Sequence, residues 1–291
     1  AIMFRAFFVG TTQTKTLTLN SIVMVTSNVV FNYILVFGKL GFPALGIAGA
    51  AIGSSLAELV SMLFFIIYTT RRVDCTKYGL NQLVSFQWTE LKRIMSVSLW
   101  TMIQNAVSIS TWFLFFIFIE HLGERSLAIT NIVRNVSSVP FMTITAFAST
   151  CSALVSNLPT IRQHVRLCTC IVWPVILLIA CLPTYVLRIY TDMPDLVDAA
   201  VPTLWVLCSS YLFQCAGFIF FQSVSGTGDT RAAFLLEMIA LTCYLIFIVL
   251  IILILKMDVA VCWFSEHVYA GAIGLLSYIY LKKGSWQRKR I

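Results

Sequence analysis

Three glutamates, Glu58, Glu237 and Glu266, stand inside long apolar stretches. An ionised carboxylate away from water is costly, so it survives there only with a hydrogen bond, a proton or a bound cation. Binding and releasing a cation is therefore the chemistry these acids offer. Glu58 and Glu266 fall near the middle of their stretches and are candidates for it. Glu237 lies about two turns from one end and reads as a group that snorkels to water.

Amides and hydroxyls form a second set. Thr101, Gln104, Asn105, Ser108 and Thr111 recur at spacings of 3, 1, 3 and 3, which keeps them on one helical face. Asn131, Arg134, Asn135 and Ser138 repeat the pattern in the next stretch. Such groups either join helices by hydrogen bonds or line a polar cavity, and both readings stand. With Gln214 they give the candidate cavity residues Gln104, Asn105, Ser108, Asn131, Arg134, Asn135 and Gln214. Arg134 carries a charge inside a helix and must face the protein interior with a partner. The nearest acids in sequence are Glu120 and Glu124, so a clamp at one mouth, or a gate, is expected. The cluster WFLFFIF (112–118) suits packing, and would also offer ring faces to a flat organic cation.

Other chemistries lack their residues. There is no HExxH, no CxxC and no GxxxxGK[ST], and no nucleophile, base and orienting group fall at a usable spacing. The expectation is a protein that is not an enzyme, with no metal centre or cofactor and no ATP-driven step of its own. Eight of the nine cysteines lie in or at the end of apolar segments, where a free thiol behaves as a small hydrophobe.

The elements that must hold these residues are set by composition. Of 291 residues 59% are hydrophobic and 11% charged, and the mean hydropathy is +0.90; soluble domains carry roughly a quarter charged residues. Eight apolar stretches of about 20 residues or more, enough to cross a ~30 Å hydrocarbon layer, run at 14–37, 46–69, 95–119, 127–155, 165–188, 197–223, 232–255 and 258–281. None alternates as barrel strands do. The expected fold is an all-α, polytopic membrane protein.

Of the 20 lysines and arginines, 15 fall on the side of the 10–15 loop and only Lys39, Arg125, Arg188 and Lys256 on the other. The crowded side is expected in the cytoplasm, in an inner (plasma) membrane, with the C-terminus there too. Topology thus accounts for the net charge of +8, and no nucleic-acid partner is implied. The lipid bilayer is the expected partner, and no obligate protein partner is.

Residues 10–15, GTTQTK, and 226–231, GTGDTR, are near copies 216 residues apart. Six of the expected helices lie between them, an even number, so the repeat is parallel, as in many secondary transporters. Glycine suits the end of one helix, and Gln or Asp before Thr suits capping of the next. A long helix precedes the second copy but only a nine-residue stub the first, so an N-terminally truncated chain is expected. On this reading 1–69 is the tail of a fourth helix with a fifth and sixth, and 70–94 is a linker in which Thr89 caps the seventh helix. Residues 95–281 then form a six-helix bundle, and 282–291 a basic tail.

GTTQTK, then NVVFNYILVFGKLGFPALGIAGAAIGSS (28–55), then the polar linker and SLWTMIQNAVSISTWF, closely resembles the multidrug and toxic compound extrusion (MATE) family over essentially the whole chain. The resemblance implies two six-helix bundles around a central cavity. It also implies a secondary antiporter that exports organic, often cationic, compounds against H+ or Na+ by alternating access. A lipid-linked oligosaccharide flippase of the wider superfamily, or a fragment without activity, is the alternative. The family's N-x-x-x-D falls on Asn28 and Asn32, making these, with Glu58 and Glu266, the cation-coupling candidates. Where many relatives carry a Glu and an Asp, this chain has Gln104, Asn105 and Ala106 in one helix and Gln214 and Cys215 in another. After VSN (155–157), LPTIRQH replaces the usual L-I-G-Q-G.

Overall fold

The structure, a computed structural model, describes residues 2–11, 13–74, 76–78, 87–154 and 158–283. Part of the expected linker (75 and 79–86), the VSN stretch (155–157) and most of the basic tail (284–291) lie outside the described residues. Among the described residues every regular element is helical, and they fall into two compact units, 1–87 and 88–291.

The first unit holds α1 (Ile2–Gly10), α2 (Thr14–Phe37) and α3 (Gly46–Arg72). Small residues set the α2–α3 packing: Gly49, Gly53, Ala57 and Ser61 recur every four residues along the buried face of α3. This small-xxx-small stripe lets two backbones meet where lipid offers no hydrophobic drive. A Cβ on Gly49 would sit 2.5 Å from the Leu35 carbonyl oxygen, and one on Gly53 would strike Asn32 Oδ1. Asparagines then tie the pair. Asn20 donates to Ser61 Oγ at 3.0 Å and Asn28 to Ser54 Oγ at 3.2 Å across the pair, while within α2 Asn32 donates to Asn28 Oδ1 at 2.9 Å and so orients it. Phe8 and Phe65, both fully buried and stacked with centroids 5.6 Å apart, fasten α1 to α3.

The second unit is built on α8 (Pro194–Gly226), whose 33 residues run ~50 Å at 1.5 Å each. Around it lie α4 (Trp88–Glu120), α5 (Glu124–Ala153), α6 (Leu158–Cys181), α7 (Pro183–Arg188), α9 (Thr230–Ile248), α10 (Val259–Cys262) and α11 (Ser265–Lys282). One continuous apolar core runs from Phe115 and Ile119 through Val133, Leu204 and Ile219 to Ile252 and Ile273. α8 and α11 meet backbone to backbone: a Cβ on Gly217 would lie 2.7 Å from the Ala270 carbonyl oxygen. Large apolar side chains such as Leu178, Leu235 and Ile246 point outward, where lipid would meet them.

Among the described residues seven helices are long and apolar enough to cross a membrane, one fewer than the eight expected. The eighth stretch is a helix too, α5, but Glu124, Arg125, Asn131, Arg134 and Asn135 make it too polar to qualify by composition. Two expected continuous helices are broken. Pro183, which has no backbone N–H to extend the ladder, separates α6 from α7. Trp263 and Phe264 separate α10 from α11. The stretch 232–255 ends in a π-helical segment, Val249–Ile254. Thr89 does not cap, because α4 already begins at Trp88.

The two hexapeptides hold the same frame. Gly10 and Gly226 are the last residues of α1 and α8, and Thr14 and Thr230 the first of α2 and α9. Asp229 caps α9 as expected, its carboxylate accepting from Ala232 N–H at 3.2 Å. Gln13 makes no side-chain cap on α2, a correction with a simple cause: its side chain is one methylene longer than the short Asp and Asn groups that cap best.

Candidate functional site

Within the second unit α4, α5, α8, α9 and α11 enclose a cavity of about 540 Å³. That lies within the 300–1,000 Å³ typical of small-molecule sites. Its walls are mainly aromatic. Phe141 and Phe218 meet edge to face at 5.2 Å, Phe218 and Tyr269 lie 6.1 Å apart, Tyr244, Trp263, Tyr211 and Trp112 add further rings, and Ile109, Leu207 and Leu241 fill the apolar surface between them. Eight polar side chains are set into this surface: Ser108, Thr111, Ser137, Ser138, Asn135 and Gln214, with Arg134 and Glu266 carrying the charges.

Glu266 enters it from a helix end. It sits in the first turn of α11, not near the middle of a continuous helix as expected, because the chain breaks at Trp263 and Phe264. At this break the N–H groups of Glu266, His267 and Val268 are taken by the Trp263 and Phe264 carbonyls, so the carboxylate depends on side-chain donors. Gln214 holds the carboxylate from α8: its Nε2 donates to Glu266 Oε2 at 3.3 Å and to Ser210 Oγ at 3.0 Å. Both amide hydrogens are thereby used. The other oxygen of Glu266 has no protein donor among the described residues.

Glu237 lies one layer behind. Snorkelling is ruled out: the residue is only 4% exposed, and its Oε1 accepts from Ser108 Oγ and, at 3.3 Å, from Tyr269 Oη. Gln104, buried on α4, faces the same carboxylate. Oε2 is buried with no partner among the described residues. The helical period puts Glu237 there, since α9 buries Ala233, Glu237, Ala240, Leu241 and Tyr244 as one stripe. Ser108 and Tyr269 both line the cavity, so Glu237 is joined to it through two hydroxyls.

Arg134 is the tenth residue after the start of α5, ~15 Å along the helix. Its expected acidic partners are not there. The guanidinium lies over the rings of Phe116 at 5.2 Å and Trp112 at 5.7 Å, and makes no ion pair among the described residues. Glu120 and Glu124 stand at helix ends and are exposed, so their helices carry them away from it.

The remaining candidates are placed apart. Asn105 is exposed, because the buried stripe of α4 runs through Gln104, Thr111, Phe115 and Ile119, and residue 105 is rotated ~100° from 104. Asn131 is half-buried on α5 but outside the cavity lining. Asn28 and Asn32 belong to the first unit, in the amide ladder between α2 and α3. Glu58 is mid-helix on α3 but exposed, since the residue before it, Ala57, takes the face packed on α2. The aromatic lining is not foreseen residue by residue. Tyr244, two turns after Glu237, and Tyr269, one turn after Glu266, are the available signals.

No family model matches the chain. Among curated proteins it is similar to the probable multidrug resistance protein NorM of Thermotoga maritima, 22% identical over 280 residues, covering 91% of this chain and 59% of that protein. It is also similar to the multidrug export protein MepA of Staphylococcus aureus, 21% identical over 215 residues, covering 71% and 47%. The chain thus spans about three fifths or less of these relatives' length. Among solved structures, an outward-facing MATE family transporter of the MOP superfamily superposes with a TM-score of 0.75 at 13% identity, covering 93% of this chain and 63% of that one. A MOP superfamily transporter from Pyrococcus furiosus superposes with a TM-score of 0.74 at 17% identity, with the same coverage. The GTTQTK-to-GAAIGSS run, the paired hexapeptide corners and these likenesses agree: the chain is a multi-pass membrane protein that is similar to the multidrug and toxic compound extrusion transporters and has their fold.

Proposed function

We propose that this chain is part of a secondary antiporter of the inner membrane, its hexapeptide corners and C-terminus cytoplasmic. It would export organic cations in exchange for H+ or Na+ by alternating access. The observation that carries this reading is Glu266, a carboxylate at the start of a broken helix, held by Gln214 on one oxygen and open to an aromatic cavity on the other. Broken membrane helices mark ion and substrate sites in secondary transporters. A carboxylate so placed can hold the coupling cation or face the solute's positive charge, but not both at full strength. That competition makes the two fluxes opposite in direction. Glu237 adds a second cation-holding group, its unpartnered Oε2 being the atom for a proton or Na+. An ion acts here only through its differential affinity for the two conformations.

Exchange in proteoliposomes tests this with the full-length protein. Glu266→Gln keeps shape and the Gln214 contact but cannot carry a charge change. It is expected to lose gradient-driven export, to below about a tenth of wild type, while folding normally. Undiminished coupled export by that variant would refute the assignment.

A further inference from the structure

The cavity carries a second, opposite charge that cation export does not use. Arg134 lines it from α5, on a different wall from Glu266 on α11. A guanidinium has five N–H donors and no acceptor. Among the described residues none of the five is given to a protein acceptor; only the Phe116 and Trp112 rings lie against the group. A ring face accepts none of these hydrogens in an ordinary N–H···O bond, so the donors stay available to a solute. Asn135 and Ser138 line the cavity beside it. The Ser138 hydroxyl hydrogen is already spent on the Asn135 carbonyl at 2.7 Å, whereas the Asn135 side-chain amide makes no hydrogen bond among the described residues. A charged group inside a helix at such depth costs about 2.5–3.5 kcal/mol on insertion scales. The ring faces offset only part of that. A planar fork with free donors, held against rings in a largely apolar cavity, matches the geometry that recognises a carboxylate in two parallel bonds.

We propose that the solute is amphoteric. A flat aromatic body lies against Phe141, Phe218 and Tyr269; its carboxylate docks on Arg134, and its delocalised cation faces Glu266. This rests on the cavity being the solute site of the proposed antiporter. Both charges of the cavity are then matched by one molecule, and a purely cationic solute leaves the arginine without a partner.

The test uses a matched pair of dyes, rhodamine B and its ethyl ester, which share the cationic xanthene and differ in the free carboxylate. Fluorescence anisotropy with the purified protein in lipid nanodiscs at pH 7 gives both affinities. Wild type is expected to bind rhodamine B about tenfold more tightly than the ester, the factor that one added charge-assisted pair supplies. Arg134→Gln should abolish that preference and leave the affinity for the ester within about threefold of wild type. Arg134→Lys, which keeps the charge without the fork, should retain only part of it, and it serves if the glutamine variant does not fold. Equal affinity for the two dyes, or a preference that survives Arg134→Gln, overturns the inference while the cavity stands as a cation site. Binding of neither dye overturns this inference and the solute site together.

Discussion

Replacing Glu237 by alanine removes the acceptor that two hydroxyls, Ser108 Oγ and Tyr269 Oη, share in its Oε1; Ser108 keeps the Gln104 carbonyl at 2.9 Å, and Tyr269 loses its partner. Interhelical hydrogen bonds in membranes average about 0.6 kcal/mol each, with a maximum near 1.7, so two give about 1.2–3.4 kcal/mol. The side chain is 4% exposed, so its loss also leaves a void. A total of about 2–4 kcal/mol is expected, which lowers the apparent melting midpoint by roughly 5–15 °C at the 2–4 °C per kcal/mol typical of a domain of ~200 residues. Glu237→Gln behaves otherwise. It keeps the Oε1 acceptor and exchanges one unpartnered atom for another, so its midpoint should stay within about 3 °C of wild type. The pairwise term is isolated by the cycle of Ser108→Ala, Glu237→Ala and the double variant. Thermal unfolding in nanodiscs should show a coupling of about 0.6–1.7 kcal/mol. Additivity within about 0.3 kcal/mol, together with a mild Glu237→Ala, would show that the carboxylate is solvated and refute the buried assignment.

Two further outcomes are expected of the scaffold. Gly217→Ala places a Cβ 2.7 Å from the Ala270 carbonyl oxygen, a backbone atom that cannot swing away, and should cost about 1–3 kcal/mol in unfolding experiments, whereas Gly271→Ala meets nothing within 4 Å and should be near neutral. Asp229→Ala removes the cap on Ala232 N–H and the acceptor of the Tyr280 hydroxyl at 2.7 Å, costing about 1–2 kcal/mol, while Gln13→Ala, with no cap to lose, should change the midpoint little.

Where the sequence is legible, a strong regular signal stands behind it. Span length and polarity announce the membrane helices, and the hexapeptides announce two equivalent corners because glycine and threonine serve the same local purpose in each. Elsewhere the decisive feature is invisible to period and composition. Nothing in VAVCWFSEH, an apolar run leading into a polar tail, marks a helix break, yet that break moves Glu266 from the middle of a span to its first turn. Asn105 falls off the buried face because a spacing of 3, 1, 3, 3 fits two adjacent stripes, and the choice between them belongs to the neighbouring helix. Glu237 is buried although it lies near a helix end, because distance along its own helix is not distance from water. α4 and α11 cover it, and a residue two turns from a helix end is solvated only if nothing packs there.

The same covering explains why amides can stand where the family's acids would be expected. Gln104 and Gln214, from α4 and α8, each face a glutamate, Glu237 and Glu266, supplied by α9 and α11. The carboxylates are thus on the helices opposite the ones where resemblance looks for them, and Gln214 serves as the donor to Glu266. Such an exchange keeps one acid facing one amide across each helix interface. It also moves the negative charge to the α9–α11 side of the cavity, leaving the α5 wall to Arg134. A cavity with acid on one wall and a guanidinium on another, separated by aromatic rings, reads the orientation of a solute as well as its charge. Inverting that polarity with the paired change Arg134→Glu and Glu266→Arg would test whether orientation matters. A cavity that recognises charge alone would keep its dye preference, whereas one that reads direction would lose it.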